Sequence, residues 1–156
     1  MATVDRTNFF STLSAYILSF FFIASFWISH HTIINPVQTV DKKLLWTNIL
    51  LLLPISLLPL VTSWHGEFPQ AVAPSVCYSL IYVLSVLGLY VLGQISLKRV
   101  ADTNRHKCYL INKTRFHLVI FGLLSTVLTF LILLISSVAV FAILIYWLIS
   151  STIRDK

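Results

Sequence analysis

The apolar positions of this chain fall in long unbroken runs, not in the spaced stripes of a soluble amphipathic helix. The first run covers residues 9–28, reads FFSTLSAYILSFFFIASFWI and carries no formal charge. The second covers 44–63 and the third 71–96. Each has the roughly 20 residues needed to cross a hydrocarbon layer as a helix. The last run, 116–152, is too long for one crossing, because at 1.5 Å per residue it would extend about 55 Å. Dividing it near Ser136 and Ser137 gives two short spans, about 116–135 and 137–152, although neither Gly nor Pro marks the turn. The pattern predicts an all-α integral membrane protein, a polytopic helical bundle of five transmembrane helices. A single transmembrane domain fills residues 1–156.

Composition agrees and narrows the function classes. Of the 156 residues, 58% are hydrophobic and only 10% charged. A soluble domain is nearer 25% charged, so soluble enzymes and disordered tails are excluded. The segment before the first run has Asp5 and Arg6, whose charges cancel, and the stronger cluster, Lys42 and Lys43, follows the run. That is the reverse of a signal peptide, so the run reads as a retained span. Cys77 and Cys108 are too far apart along the chain's expected path to bridge, and read as free thiols.

The net charge of +6 is a matter of sidedness. Five crossings put Lys42, Lys43, Lys98, Arg99, Arg105, Lys107, Lys113, Arg115, Arg154 and Lys156 on one side and only Arg6 on the other. Lys and Arg accumulate on the cytoplasmic side, which predicts a multi-pass cell-membrane protein with its C-terminus inside and its N-terminus outside. No nucleic-acid partner is implied. Lys98, Arg99, Arg105, Lys107, Lys113 and Arg115, in an expected loop over 97–115, are either topology determinants or contacts for anionic lipid headgroups.

Few residues carry chemistry. There is no phosphate loop, nucleophile elbow, HExxH or CxxC, and no carbonyl filter of the TVGYG kind. The five acidic residues are scattered, with none inside a span. The chain reads as a non-enzyme without a cofactor or metal. Polar side chains gather at one end of two spans. Trp27, His30 and His31 close the first and share a helical face or nearly so. After Asp41, Trp46 and Asn48 open the second. A short loop would set these groups at a similar depth, where the Asn48 amide needs a partner such as a histidine nitrogen or a backbone carbonyl. The cluster is either a polar staple between helices or a site coupled to ions or pH, since histidine titrates near neutrality. His30 and His31 alone make a poor metal site, because adjacent residues diverge on a helix. Pro54 and Pro59 free the carbonyls of Leu50 and Ile55 and mark either a packing bend or a helix beside a cavity.

These residues also form recognisable motifs. Tyr16, Leu18, Ser19, Phe20, Trp27, His30 and His31 fit a pattern Y-x-L-S-F…W-x-x-H-H. Val40, Asp41, Leu44, Leu45, Trp46, Asn48 and Pro59 fit V-D-x-x-L-L-W-x-N-L…L-P. The stretch 14–67 thereby resembles the second and third helices of the prokaryotic relatives of the endolysosomal transmembrane potassium channel. The resemblance implies a six-helix repeat, a homo-tetramer around a pore, and conduction of potassium in preference to other monovalent cations, with some proton permeation. It also implies that Trp27, His30, His31, Asp41, Trp46 and Asn48 brace a pore-lining first helix bearing R-x-x-x-F-S-D. That helix is not matched here, because residues 6–12 have Thr12 where the Asp belongs. The expectation is a channel-family protein truncated at its N-terminus, with its pore-lining residues unknown. The rival expectation is a non-conducting membrane scaffold or regulatory subunit.

Overall fold

The computed structural model describes residues 6–68, 70–129, 138–146 and 149. It is helical throughout these residues apart from short connections. Helix α1 is Arg6–Ile34, α2 Lys42–Glu67, α3 Val72–Leu97 and α4 Asp102–Leu128. A further helical stretch occupies 138–146. Three segments are long and apolar enough to cross a membrane: Tyr16–Ile34, Lys42–Glu67 and Val72–Leu97. The expected turn at Ser136 and Ser137 lies outside the described residues.

Two expectations about boundaries need correction. Residues 97–115 are not a loop, because α4 begins at Asp102 and only 98–101 link it to α3. Hydropathy marks the part of a helix that wants lipid, and polar residues can continue the same helix beyond it. Asp102 lies in the first turn of α4, where a carboxylate complements the helix dipole. It pairs with Arg105 at 2.7 Å, one turn on. Likewise α1 continues past Ile28 to Ile34, so His30 and His31 lie within the helix. The α1–α2 connection shrinks to residues 35–41.

Asp41 starts α2. Its side chain accepts from the Leu44 backbone N–H at 2.9 Å, filling one of the donors a helix leaves open at its start. Pro54 and Pro59 lie inside a continuous α2. Pro74 falls in the first turn of α3, where a missing N–H costs little.

The central helix is α3. Half of its span is buried, against 28% for α1 and α2. Its aromatic face makes the middle of the core: Tyr82 meets Phe22 and Phe26 edge-on, at centroid separations of 5.4 and 5.5 Å. Phe141, in the 138–146 stretch, also lies against Phe22, at a centroid separation of 6.5 Å. Three close approaches pin its neighbours: Gly88 against Leu51 of α2, and Gly93 and Gly122 at the α3–α4 seam against Asn112 and Val83. Ser79 and Thr126 hydroxyls also meet across that seam at 2.5 Å. Small residues let helix backbones come this near, which is how helices associate in lipid.

Pairing Gly93 with Asn112, Val83 with Gly122 and Ser79 with Thr126 fixes an antiparallel register. Leu97 then lies level with Cys108, and the start of α4 projects beyond α3 by about 9 Å. The two short connections lie at this same end, called here the loop face. Val37 and Val100 form an antiparallel bridge there, and the Gln38 N–H donates to the Arg99 carbonyl at 3.0 Å. At the far end His65 stacks on Tyr78 at 4.9 Å, closing the α2–α3 turn.

Candidate functional site

The polar side chains of the bundle concentrate in a layer just inside the loop face. Asn48 is six residues into α2, Ser29 five residues before the end of α1 and Tyr90 seven before the end of α3. At 1.5 Å per residue these depths are about 7–11 Å.

On the α1–α2 seam, His30 Nε2 and Asn48 Oδ1 are 2.6 Å apart and half-buried. With the amide carbonyl oxygen facing the ring, Nε2 carries the hydrogen and donates. Trp27 stacks over His30 at 6.0 Å with the rings nearly parallel, as their i,i+3 spacing allows. Trp27 is exposed on its outer side, and so is Trp46. His31 and Trp46 make no hydrogen bond, ion pair or ring contact among the described residues. Of the six side chains expected to form one cluster, the structure brings together Trp27, His30 and Asn48. Among the described residues no three His, Cys, Asp or Glu side chains gather as metal ligands would.

Asp41 belongs to a different contact. Its carboxylate is ion-paired with Arg99, whose guanidinium also donates to the Ile95 carbonyl. The Arg99 hydrogen bond, followed by the Leu44 N–H, holds the Asp41 carboxyl below its ordinary pKa. This pair joins the start of α2 to the α3–α4 connection beside the Val37–Val100 bridge.

Arg99 and Arg115 therefore leave the set of headgroup contacts read from the sequence. Arg99 is turned onto Asp41. Arg115 is 5% exposed, and its guanidinium donates to the Ser29 hydroxyl at 3.0 Å and the Ser29 carbonyl at 3.2 Å. A cation inside a helical bundle needs such acceptors. Beside it, Asn112 is 1% exposed, and its Nδ2 donates to the Tyr90 carbonyl at 3.2 Å. The polar layer thus has two halves, His30–Asn48 on the α1–α2 seam and Ser29–Arg115 with Asn112–Tyr90 around α4.

Sequence reasoning missed the second half because it placed 97–115 in a loop. A signal was present. Asn112, Arg115, Val119, Gly122 and Thr126 recur at helical spacing, and all are buried. Continuing that stripe back from the apolar run puts Arg115 and Asn112 on the packed face. Cys108, near the start of α4, has its thiol pKa pushed up by partial burial, against the pull of Arg115 and Lys107.

Comparison with known proteins adds an independent line. Residues 3–59 match the family model described as endosomal/lysosomal potassium channel TMEM175. A potassium channel from a Chryseobacterium species is 26% identical over 143 residues, covering 91% of this chain and 74% of that protein. A potassium channel from Streptomyces collinus is 32% identical over 84 residues, covering 51% of this chain and 40% of that protein. The crystal structure of a lysosomal potassium-selective channel TMEM175 homolog from Chamaesiphon minutus is similar with a TM-score of 0.78 at 25% identity. That likeness covers 89% of this chain and 73% of the other.

Proposed function

We propose, on the premise that this chain belongs to the TMEM175 family of potassium channels, that it takes part in potassium-preferring cation conduction across a membrane. One observation carries the reading: the likeness to a potassium-selective channel extends over 89% of the chain, well beyond the matched motifs. The conducting species in this reading is a homo-oligomer, a tetramer with some proton leak. Its chain crosses the bilayer five times, with the loop face in the cytoplasm. The basic side chains at and near that face, Lys42, Lys43, Lys98, Arg105, Lys107 and Lys113, support the orientation. Lys98, Arg105, Lys107 and Lys113 are exposed and available to anionic headgroups.

The polar layer has a bracing role here. The His30–Asn48 bond and the Trp27 stack hold α1 on α2, and Asp41–Arg99 holds this hairpin to α3–α4. The test is potassium flux from purified protein in liposomes, compared with sodium and with protein-free vesicles. Flux that prefers potassium is expected. Vesicles that contain correctly folded protein yet stay tight to both ions would overturn the reading in favour of a non-conducting membrane role.

A further inference from the structure

On the outer side of the α3–α4 seam, two strips of side chains run inward from the loop face. On α4 the strip is Arg105, Tyr109, Lys113, Phe116 and Ile120, spaced by four, four, three and four residues, so all share one helical face. All five are exposed, Tyr109 by 49% and Phe116 by 43%. On α3 the strip is Lys98, Gln94 and Tyr90, again one turn apart. The two strips are joined. The Tyr90 and Phe116 rings meet at 5.4 Å, and Gln94 Nε2 donates to the Tyr90 hydroxyl at 3.1 Å. Arg105 donates to the Val100 carbonyl at 3.5 Å, over the connection that follows Lys98. From the loop face inward, cations come first, then amide and phenol groups, then aromatic and aliphatic surface.

The helix register sets the depth of these groups. With Leu97 level with Cys108, Lys113 lies about 7–8 Å inside the end of α3 and Arg105 about 4–5 Å outside it. That band spans the boundary between hydrocarbon and headgroups, whose layer is about 5–7 Å thick on each side. A lysine at the depth of Lys113 lays its stem along apolar surface and brings its ammonium outward, to the level of Tyr109 and Lys98. Neither Lys98 nor Lys113 has an ion-pair partner among the described residues. Asp41 is held by Arg99 and Asp102 by Arg105, and Glu67 is at the opposite end of the bundle. The face therefore calls for an anion from outside the chain. A second copy presenting the same face would set like charges against each other at the same depth. A phosphatidylcholine carries an ammonium of its own. An anionic phospholipid supplies a phosphate for the cations and an acyl chain for the rings.

We infer that the outer α3–α4 seam is a binding site for one anionic phospholipid, its phosphate held by Lys98, Tyr109 and Lys113 and its acyl chain laid over the Tyr90–Phe116 pair and Ile120. Arg105, already paired with Asp102, adds a donor at the outer edge. The Gln94–Tyr90 bond holds the aromatic platform in place. Lys107 is two residues from Arg105 and so points to a different side of α4; it is outside the site. The inference narrows the headgroup contacts proposed above to one place, and it rests on that reading only in taking the loop face as a bilayer surface.

The test is a titration of purified protein, in a neutral detergent, with dioleoylphosphatidylglycerol or dioleoylphosphatidylcholine, with bound lipid counted by native mass spectrometry. One phosphatidylglycerol per chain is expected to be retained in preference to phosphatidylcholine. Lys98→Gln with Lys113→Gln is expected to weaken that binding by about 25-fold, at about fivefold for each cation. Lys43→Gln with Lys107→Gln removes the same charge from the same end of the molecule and is expected to leave the binding nearly unchanged. Equal weakening by the two pairs, or equal retention of the two lipids, would overturn the site and leave only diffuse attraction to a charged surface. Glycerol 3-phosphate, which has the anion without the tails, is not expected to displace the lipid; displacement at equal concentration would also overturn it. A change of oligomeric state in the Lys98→Gln, Lys113→Gln variant with lipid binding intact would assign the face to a second copy instead. The readout contains no ion flux, so liposomes found tight to potassium would leave this site standing, and a failed lipid titration would leave conduction untouched.

Discussion

Single side chains in this bundle are decided by whether their polar atoms find partners. Tyr82 and Asn48 are opposite cases. Tyr82 is 1% exposed, and its hydroxyl has no partner among the described residues. An unpaired buried hydroxyl costs about 1–3 kcal/mol, and the ring would keep its contacts with Phe22 and Phe26 without it. Tyr82→Phe is therefore expected to leave thermal stability unchanged or raise it, as scanning fluorimetry in detergent would show; a clear loss would mean the hydroxyl is satisfied. Asn48 has a partner, and His30→Ala or Asn48→Ala strands the other member of the pair at a similar cost. Each is expected to lower the folded yield while leaving the potassium-to-sodium ratio of the remaining protein unaltered. The double variant should lose little more than either single one, because the second change removes the stranded group. A shifted ratio at normal yield would instead place the pair beside the ion path.

At the level of helices, the central question is how the α1–α2 hairpin stays registered on α3–α4. One device in the connections does this, and a second, in the α3–α4 seam, registers α4 on α3. The connection device is Asp41 with Arg99, next to the Val37–Val100 bridge. Since the folded-state pKa of Asp41 is depressed, its contribution is complete above the unfolded value of about 3.9 and is lost as pH falls through the lower folded value. Wild-type protein should thus lose more thermal stability between about pH 5 and pH 2 than Asp41→Asn does; equal losses would show that the pair adds nothing. The seam device is the close approach of α3 and α4. A Cβ at Gly93 would collide with the Asn112 carboxamide, so Gly93→Ala should cost about 1–3 kcal/mol in thermal or chemical unfolding. These devices also show what the sequence could reveal. The apolar runs located α2 and α3 to within a few residues, because those helices are apolar almost end to end. The partners of Asp41 and Ser29 stayed hidden, since they lie in a stretch whose polarity resembled a loop. Lipid preference and helix length are separate properties, and only the first is written in hydropathy. The His30–Asn48 meeting was foreseeable from loop length and depth, whereas Asp41, adjacent in sequence to the same motif, turned away to Arg99.

For the whole molecule, the register of the helices fixes which connections share a side. The 35–41 and 98–101 connections are hydrogen-bonded to one another, so they must lie on one face of the bilayer whatever happens in residues 130–137. The α2–α3 turn, at 68–71, is a full helix length away on the other face. Basic residues are distributed accordingly. Lys42, Lys43, Lys98, Arg99, Arg105 and Lys107 stand at or beyond the loop face, while the far turn has Glu67 close by and no Lys or Arg from 44 to 97. Such an imbalance orients a multi-pass protein with its basic side inward. The consequence can be checked without reference to either terminus. In a Cys77→Ser, Cys108→Ser background expressed in intact cells, Gln70→Cys is expected to react with a membrane-impermeant maleimide added outside. Gln38→Cys should react only after the membrane is permeabilised. Both glutamines are exposed, so folding does not mask either thiol. The reverse pattern would invert the molecule and move the polar layer of His30, Asn48 and Arg115 from the inner leaflet to the outer one. Any cation arriving from the cytoplasm would then meet the far end, with Glu67 and His65, before it met the polar layer.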